Sequence, residues 1–142
     1  MRLNFDCVRD ILLCIEENTD LRNQCIFFDL ELITAFPSPD STPSPYQMEL
    51  SEKYGNDTVL YHINYCCAAG LLSLSESQES DRTIVEDLTP EGHSFLANIR
   101  EASNWEKIKK VAAKAGSTSL PALSSIASQV IAAIIKQCLC LP

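Results

Sequence analysis

Residues 59–100 constrain this chain more than any other stretch. VLYHINYCCAAGLLSLSESQESDRTIVEDLTPEGHSFLANIR passes from a helical pattern through a glycine stop into two short apolar runs, then into a new helix. The first helix is predicted over about 57–69, with Asn56 or Asp57 as its cap and Gly70 suited to the left-handed turn beyond its end. Leu60, Ile63 and Cys67, helped by Val59 and Cys66, form its expected inner face, leaving Thr58, Tyr61, His62, Asn64 and Tyr65 outside. Residues 71–74 and 83–88 read as strands around a polar turn, 76–81, which carries Glu76, Glu79 and Asp81 with Arg82 beside them. Thr89 and Pro90 then open another helix, because Thr89 accepts free first-turn N–H groups and Pro90 sits where a missing donor costs nothing.

Upstream, Cys7, Val8, Ile11, Leu12 and Ile15 recur at helical spacing, predicting an amphipathic helix over about 5–17 capped by Asn4 or Asp6. From Ile26 to Ile33 the period changes to two, with Ile26, Phe28, Leu30 and Leu32 on one side and Asp29 and Glu31 on the other, which predicts a strand. Four prolines in PSPDSTPSP, 37–45, favour an exposed, extended connector. Alternation of Tyr46, Met48 and Leu50 favours a returning hairpin arm over 46–54, although Tyr46, Leu50 and Tyr54 also fit a short helix. Helix, strand, helix, two strands and a capped helix make an α+β, winged-helix-like domain. We assign it to 1–102, with a proline-rich loop at 36–46, followed by a C-terminal helical extension at 103–142. At 142 residues and 46% apolar, the chain is long enough for one core of ordinary size.

Charge limits what such a domain can grip. Residues 1–91 hold 17 acidic and 5 basic side chains, a net −12, whereas 92–142 hold 6 basic and 2 acidic ones. Duplex binding draws most of its affinity from neutralising phosphates and releasing counterions, and the predicted helix at 57–69 contains no lysine or arginine. The candidate nucleic-acid contacts are Arg82 and the lysines of a predicted helix at 102–116, where Lys107, Lys110 and Lys114 share one face beside Trp105. A solvated helix face accounts for the same lysines. After a short break at 117–119, a last helix at about 121–138 carries Leu123, Ile126, Ala127, Val130, Ile131, Ile134, Ile135 and Cys138 on one stripe. Its polar interruptions argue against a bilayer span, so the stripe is expected to bury itself on the body or on a second copy.

Three segments, RLNFDCVRDILLCIEEN at 2–18, LYHINYCCAAGLL at 60–72 and DLTPEGHSFLANIRE at 87–101 followed by Trp105, resemble an uncharacterised family of small bacterial proteins found largely in phages and prophages. The resemblance implies a winged-helix-like fold, a cytoplasmic setting in a mobile element, and no assigned catalytic residue. Cys66-Cys67 stands where bulkier apolar or charged residues are expected in that family.

Chemistry is sparse. His62 and Cys66 are four apart on one helix, yet no Cys-x-x-Cys knuckle accompanies them, and the seven cysteines read as free thiols in a reducing compartment. No metal or cofactor is expected. Cys7 or Cys14 with His93 makes a poor nucleophile pair in so acidic a body, without a Gly-rich elbow. Glu86, Asp87 and Glu91 complement the dipole of the helix at Pro90. The N-terminal charges of MRLNFDCVRD disfavour a signal peptide, so a cytoplasmic chain is expected. The reading is a non-enzymatic interaction module that engages a protein partner, of basic surface, through Tyr61, His62, Tyr65, Glu76, Glu79 and Asp81. A homodimer through the last helix accompanies it, and the alternative is a dimeric DNA-binding regulator.

Overall fold

The computed structural model describes residues 1–116 and 119–140; Ser117 and Thr118, within the break expected at 117–119, lie outside the described residues. Among the described residues the order is α1 (Phe5–Asn18), β1 (Cys25–Phe28), α2 (Leu30–Ala35), α3 (Pro45–Tyr54), α4 (Asn56–Ala68), β2 (Leu72–Leu74), β3 (Arg82–Leu88), α5 (Pro90–Ile99), α6 (Ala102–Ala115) and α7 (Leu120–Leu139). The chain is therefore α+β, with one small antiparallel sheet of order β1-β3-β2. It divides into two compact units, Met1–Gly92 and His93–Pro142.

In the first unit α1 buries the predicted stripe, Cys7, Val8, Ile11, Leu12 and Ile15. Removing each large aliphatic side chain from water is worth about 1.5–3 kcal/mol, so this stripe anchors the core. Asn4 caps α1, its side chain accepting from the Cys7 N–H at 3.1 Å. The strand β3 lies between its neighbours, pairing Cys25 with Val85 and Phe28 with Arg82 on one side and Leu72 with Leu88 on the other; a bulge falls between Ser73 and Leu74. Thr89 accepts from the Gly92 N–H at 3.0 Å, the capping role its sequence position predicts. Gly92 is required here for a different reason: a Cβ would fall 2.1 Å from the Leu71 carbonyl oxygen.

Two expected strands are corrected. The period-two run at 26–33 is a strand only to Phe28, because Asp29 accepts from the Glu31 and Leu32 N–H groups at 3.1 and 3.2 Å and starts α2. Capping overrides alternation there. The hairpin arm expected at 46–54 is α3, with Pro45 in its first turn and Gly55 (φ 86°) at its end. Gly55 also precedes α4 directly, so the cap expected of Asn56 or Asp57 does not form; Asn56 Oδ1 instead accepts from Gln47 Nε2 at 3.0 Å and Ser51 Oγ at 3.1 Å.

Helix α3 explains how β1, an edge strand, is sealed. Its Gln47 side chain, fully buried, accepts from the Phe28 N–H at 2.9 Å and donates to the Phe28 carbonyl at 2.7 Å. One turn's neighbour, the Tyr46 hydroxyl, accepts from the Ile26 N–H at 2.8 Å and faces the Ile26 carbonyl at 3.3 Å. Two helix side chains thus replace the next strand, which protects an edge that would otherwise offer free donors and acceptors.

In the second unit α6 packs on α7, with Trp105, Ile108 and Ala112 buried from one helix and Leu120, Leu123 and Ala127 from the other. Gly116, at φ 70°, closes α6 in the left-handed conformation. The stripe expected along α7 is covered only in its first half: Ile135 and Leu139 are exposed. Helix α7 has 20 residues, a mean hydropathy of 1.5 over its most apolar window and little burial, so it is long and apolar enough to cross a membrane by length and composition alone. That corrects the expectation that its polar interruptions leave it too short. The serines and glutamines are spread among enough Ile, Leu, Val and Ala to keep the average high.

Candidate functional site

The outer side of α4, the β2–β3 turn and the end of β1 enclose a cleft of about 340 Å³. Leu60 and Asn64 of α4 face Phe27, Leu74, Gln78, Glu79 and Arg82 across it. The turn is shaped by Gln78, whose Nε2 donates to the Ser75 and Ile84 carbonyls, both at 2.8 Å, while its Oε1 accepts from the Ile84 N–H at 3.0 Å. A side chain that closes its own turn three times fixes the acids around it.

Arg82 is the cation of this cleft, and its charge is already matched. Its Nε lies 3.0 Å from Glu79 Oε2 and 2.9 Å from Asp81 Oδ1, Nη2 reaches Ser41 Oγ at 3.5 Å, and the guanidinium sits 4.8 Å from the Phe28 ring centre. The hydrogen bond from Arg82 holds the Asp81 carboxyl below its usual range. Stacked and doubly paired, Arg82 is poorly placed to serve as a phosphate anchor.

The expected partner-binding residues separate into three groups. Glu79 lines the cleft and Asp81 braces it through Arg82, while Glu76 is exposed on the turn. Tyr61, exposed, and Tyr65, half-buried, form an aromatic pair on α4 with ring centres 6.3 Å apart, beside the cleft rather than in it. His62 is corrected: it is fully buried, with Nε2 accepting from the Asn4 N–H at 2.8 Å and Nδ1 2.8 Å from the Thr58 carbonyl. The geometry selects the neutral Nδ1–H tautomer, and the ring ties α4 to the start of α1 instead of meeting a partner. The buried face of α4 is accordingly Val59, His62, Ile63 and Cys66, rotated from the one expected, and Leu60 turns to the cleft. Asn64 and Gln78 carried no signal beyond polarity and were not among the expected contacts.

In the second unit Lys107, Lys110 and Lys114 are exposed on α6, whereas Lys109 pairs with Glu106 at 3.0 Å and lies 5.6 Å from the Trp105 ring centre. All seven cysteines are free. Among the described residues no three His, Cys, Asp or Glu side chains converge as metal ligands. Burial pushes the Cys67 thiol up to about 11, and burial together with the Asp10 carboxylate pushes Cys7 up to about 12, so neither is an activated nucleophile.

A family model described as "Hypothetical protein (DUF2513)" matches residues 2–118. A protein of Haemophilus influenzae, described as "Uncharacterized protein", is 25% identical over 138 residues, covering 95% of this chain and 99% of that protein. No solved structure matches the chain. The chain belongs to the DUF2513 family.

Proposed function

For this DUF2513 protein we propose a non-enzymatic, winged-helix-like interaction module that binds a basic surface of a protein partner at the cleft between α4 and the β2–β3 turn. The observation that carries it is the pairing of Arg82 with both Glu79 and Asp81, which removes the cleft's cation from use and leaves an acidic rim. Tyr61 and Tyr65 supply apolar area with polar tips next to that rim, the residue chemistry that favours protein contacts. A unit with 17 acids against 5 bases repels phosphate and speeds encounter with a basic partner. The order α1, β1, helices, α4, β2, β3 and the sheet order β1-β3-β2 support the winged-helix-like reading. The sequence resemblance supports a mobile-element setting, in the cytoplasm, where such a module regulates or inhibits its partner. The exposed apolar end of α7 supports a homodimer through that helix.

The second reading, a dimeric DNA-binding regulator, is favoured by one observation: the exposed face of Lys107, Lys110 and Lys114. A duplex titration followed by fluorescence anisotropy at physiological salt tests the choice. The interaction module shows no saturable binding at low micromolar protein. Submicromolar, salt-sensitive binding that is lost on Lys110→Ala or Arg82→Ala overturns it in favour of the regulator.

A further inference from the structure

Helix α7 leaves its second half uncovered. Its buried residues, Leu120, Leu123 and Ala127, all fall in the first half, where the helix packs on α6. From Val130 to Leu139 only Lys136 and Gln137 interrupt a run of Val, Ile, Ala, Cys and Leu, and no residue of that run is buried: Ile135 is 53% and Leu139 80% exposed. A contiguous apolar surface of this kind marks a binding face. The core helix of a globular domain hides most of such a surface, whereas only 11% of the most apolar window of α7 is buried. The same unit is basic. Residues 93–142 hold six basic side chains against Glu101 and Glu106, and Glu106 already pairs with Lys109 at 3.0 Å. Lys107, Lys110 and Lys114 are exposed on α6, and Lys136 is exposed within the apolar run itself. An apolar helix and lysines in one unit match the two components of an anionic lipid surface, acyl chains and phosphate headgroups.

We propose that the uncovered half of α7 enters one leaflet of an anionic bilayer, with Lys136 and the lysines of α6 at the lipid phosphates. The 20 residues of α7 rise about 30 Å, the thickness of a hydrocarbon core, so length alone would permit a span. Packing decides otherwise. A span would strip Leu120, Leu123 and Ala127 from α6 and carry Ser124, Ser125, Ser128 and Gln129 into hydrocarbon, whereas a helix lying in the interface keeps the α6 contacts and leaves the polar residues in water. Lys136 is no obstacle there, since its aliphatic stem rests along the apolar surface while the ammonium reaches the headgroups. An apolar protein groove would cover the helix without any use for the lysines, and a nucleic acid would use the lysines but not the helix. An anionic bilayer uses both. The homodimer is then the lipid-free state, a second copy covering the end of α7 until lipid replaces it. Insertion rests neither on that dimer nor on the cleft proposed for the protein partner.

The test is flotation of the full chain with vesicles of phosphatidylcholine alone, or of phosphatidylcholine with about one-third phosphatidylglycerol, at low and at high salt. Recovery with the anionic vesicles at low salt should exceed that with neutral vesicles, or at high salt, by roughly fivefold or more. Ile135→Ser/Leu139→Ser should lower this binding roughly tenfold, and because both side chains are exposed its far-UV circular dichroism should match the parent's. Lys107→Gln/Lys110→Gln/Lys114→Gln should weaken capture by the anionic vesicles while leaving the salt-resistant remainder unchanged. Insertion itself is read with Leu139→Trp, whose added emission should shift to the blue and be quenched by phosphatidylcholine brominated on its acyl chains, while the buried Trp105 of the parent stays unquenched. A chain left in the lipid-free fraction, as dimer or monomer, or captured equally by neutral vesicles, overturns the proposal. Undiminished binding of the serine variant, or an added tryptophan that brominated chains do not quench, overturns it as well, by showing adsorption through charge alone.

Discussion

Gln47 is the side chain whose loss should most damage the first unit, because it serves as a surrogate strand. Replacement by Leu keeps much of the volume and removes every hydrogen bond. The Phe28 N–H then loses its acceptor at 2.9 Å, and the Phe28 carbonyl loses its donor at 2.7 Å, retaining only the long 3.5 Å approach of Asn56 Nδ2. A buried donor left without a partner costs about 1–3 kcal/mol, and a carbonyl left with a weak one costs part of that. The expected destabilisation is therefore about 2–4 kcal/mol, read as the shift of the urea midpoint at unchanged slope in an equilibrium unfolding curve. Gln47→Glu should be comparably harmful, since a carboxylate accepts from Phe28 N–H but repels the Phe28 carbonyl. A loss below about 0.5 kcal/mol for Gln47→Leu would refute the surrogate-strand argument.

Three further outcomes follow from the packing. Cys7, raised from 9.0 to about 12, stays neutral in the folded chain at a pH where the unfolded chain ionises, so stability is full below about pH 9 and falls between about 9 and 12; Cys7→Ala should flatten the decline in alkaline urea melts, and an unchanged slope would contradict the assignment. Gly92→Ala places a methyl against the Leu71 carbonyl and should cost about 1–3 kcal/mol by thermal unfolding, whereas a neutral result would mean the Thr89 turn moves freely. Light scattering should give twice the chain mass at tens of micromolar and the single chain mass for Ile131→Asp; a monomeric parent ends the dimer proposal.

Much of the fold is legible from periodicity and caps. The α1 stripe, the glycine stop after α4, the two strands and the Thr89-Pro90 start are local signals, and local hydrogen bonds decide them. The failures share a cause. Asp29 alternates correctly for a strand, but a short side chain that bonds two N–H groups ahead of it makes a helix cap, and alternation has no term for that. His62 reads as polar and hence outward, although its spacing from Val59, Ile63 and Cys66 fits the buried face; a histidine is satisfied inside because the Thr58 carbonyl one turn back meets Nδ1 and the Asn4 N–H, 58 residues away and invisible to local pattern, meets Nε2. Long-range pairing also hid the state of Arg82: neighbouring acids were visible, but stacking on Phe28 requires the β1–β3 register. For the same reason the cleft residues Leu60, Asn64 and Gln78 could not be grouped from the sequence.

The most direct measurement of the central claim is quantitative affinity capture from the native host, comparing the parent chain with Glu76→Lys/Glu79→Lys as matched baits, each treated with nuclease. The account predicts one or more basic proteins held by the parent and depleted at least roughly tenfold on the charge-reversed bait, as expected when a complementary surface is made repulsive. Equal recovery on both baits, or recovery that vanishes with nuclease alone, would contradict an acidic cleft that binds protein.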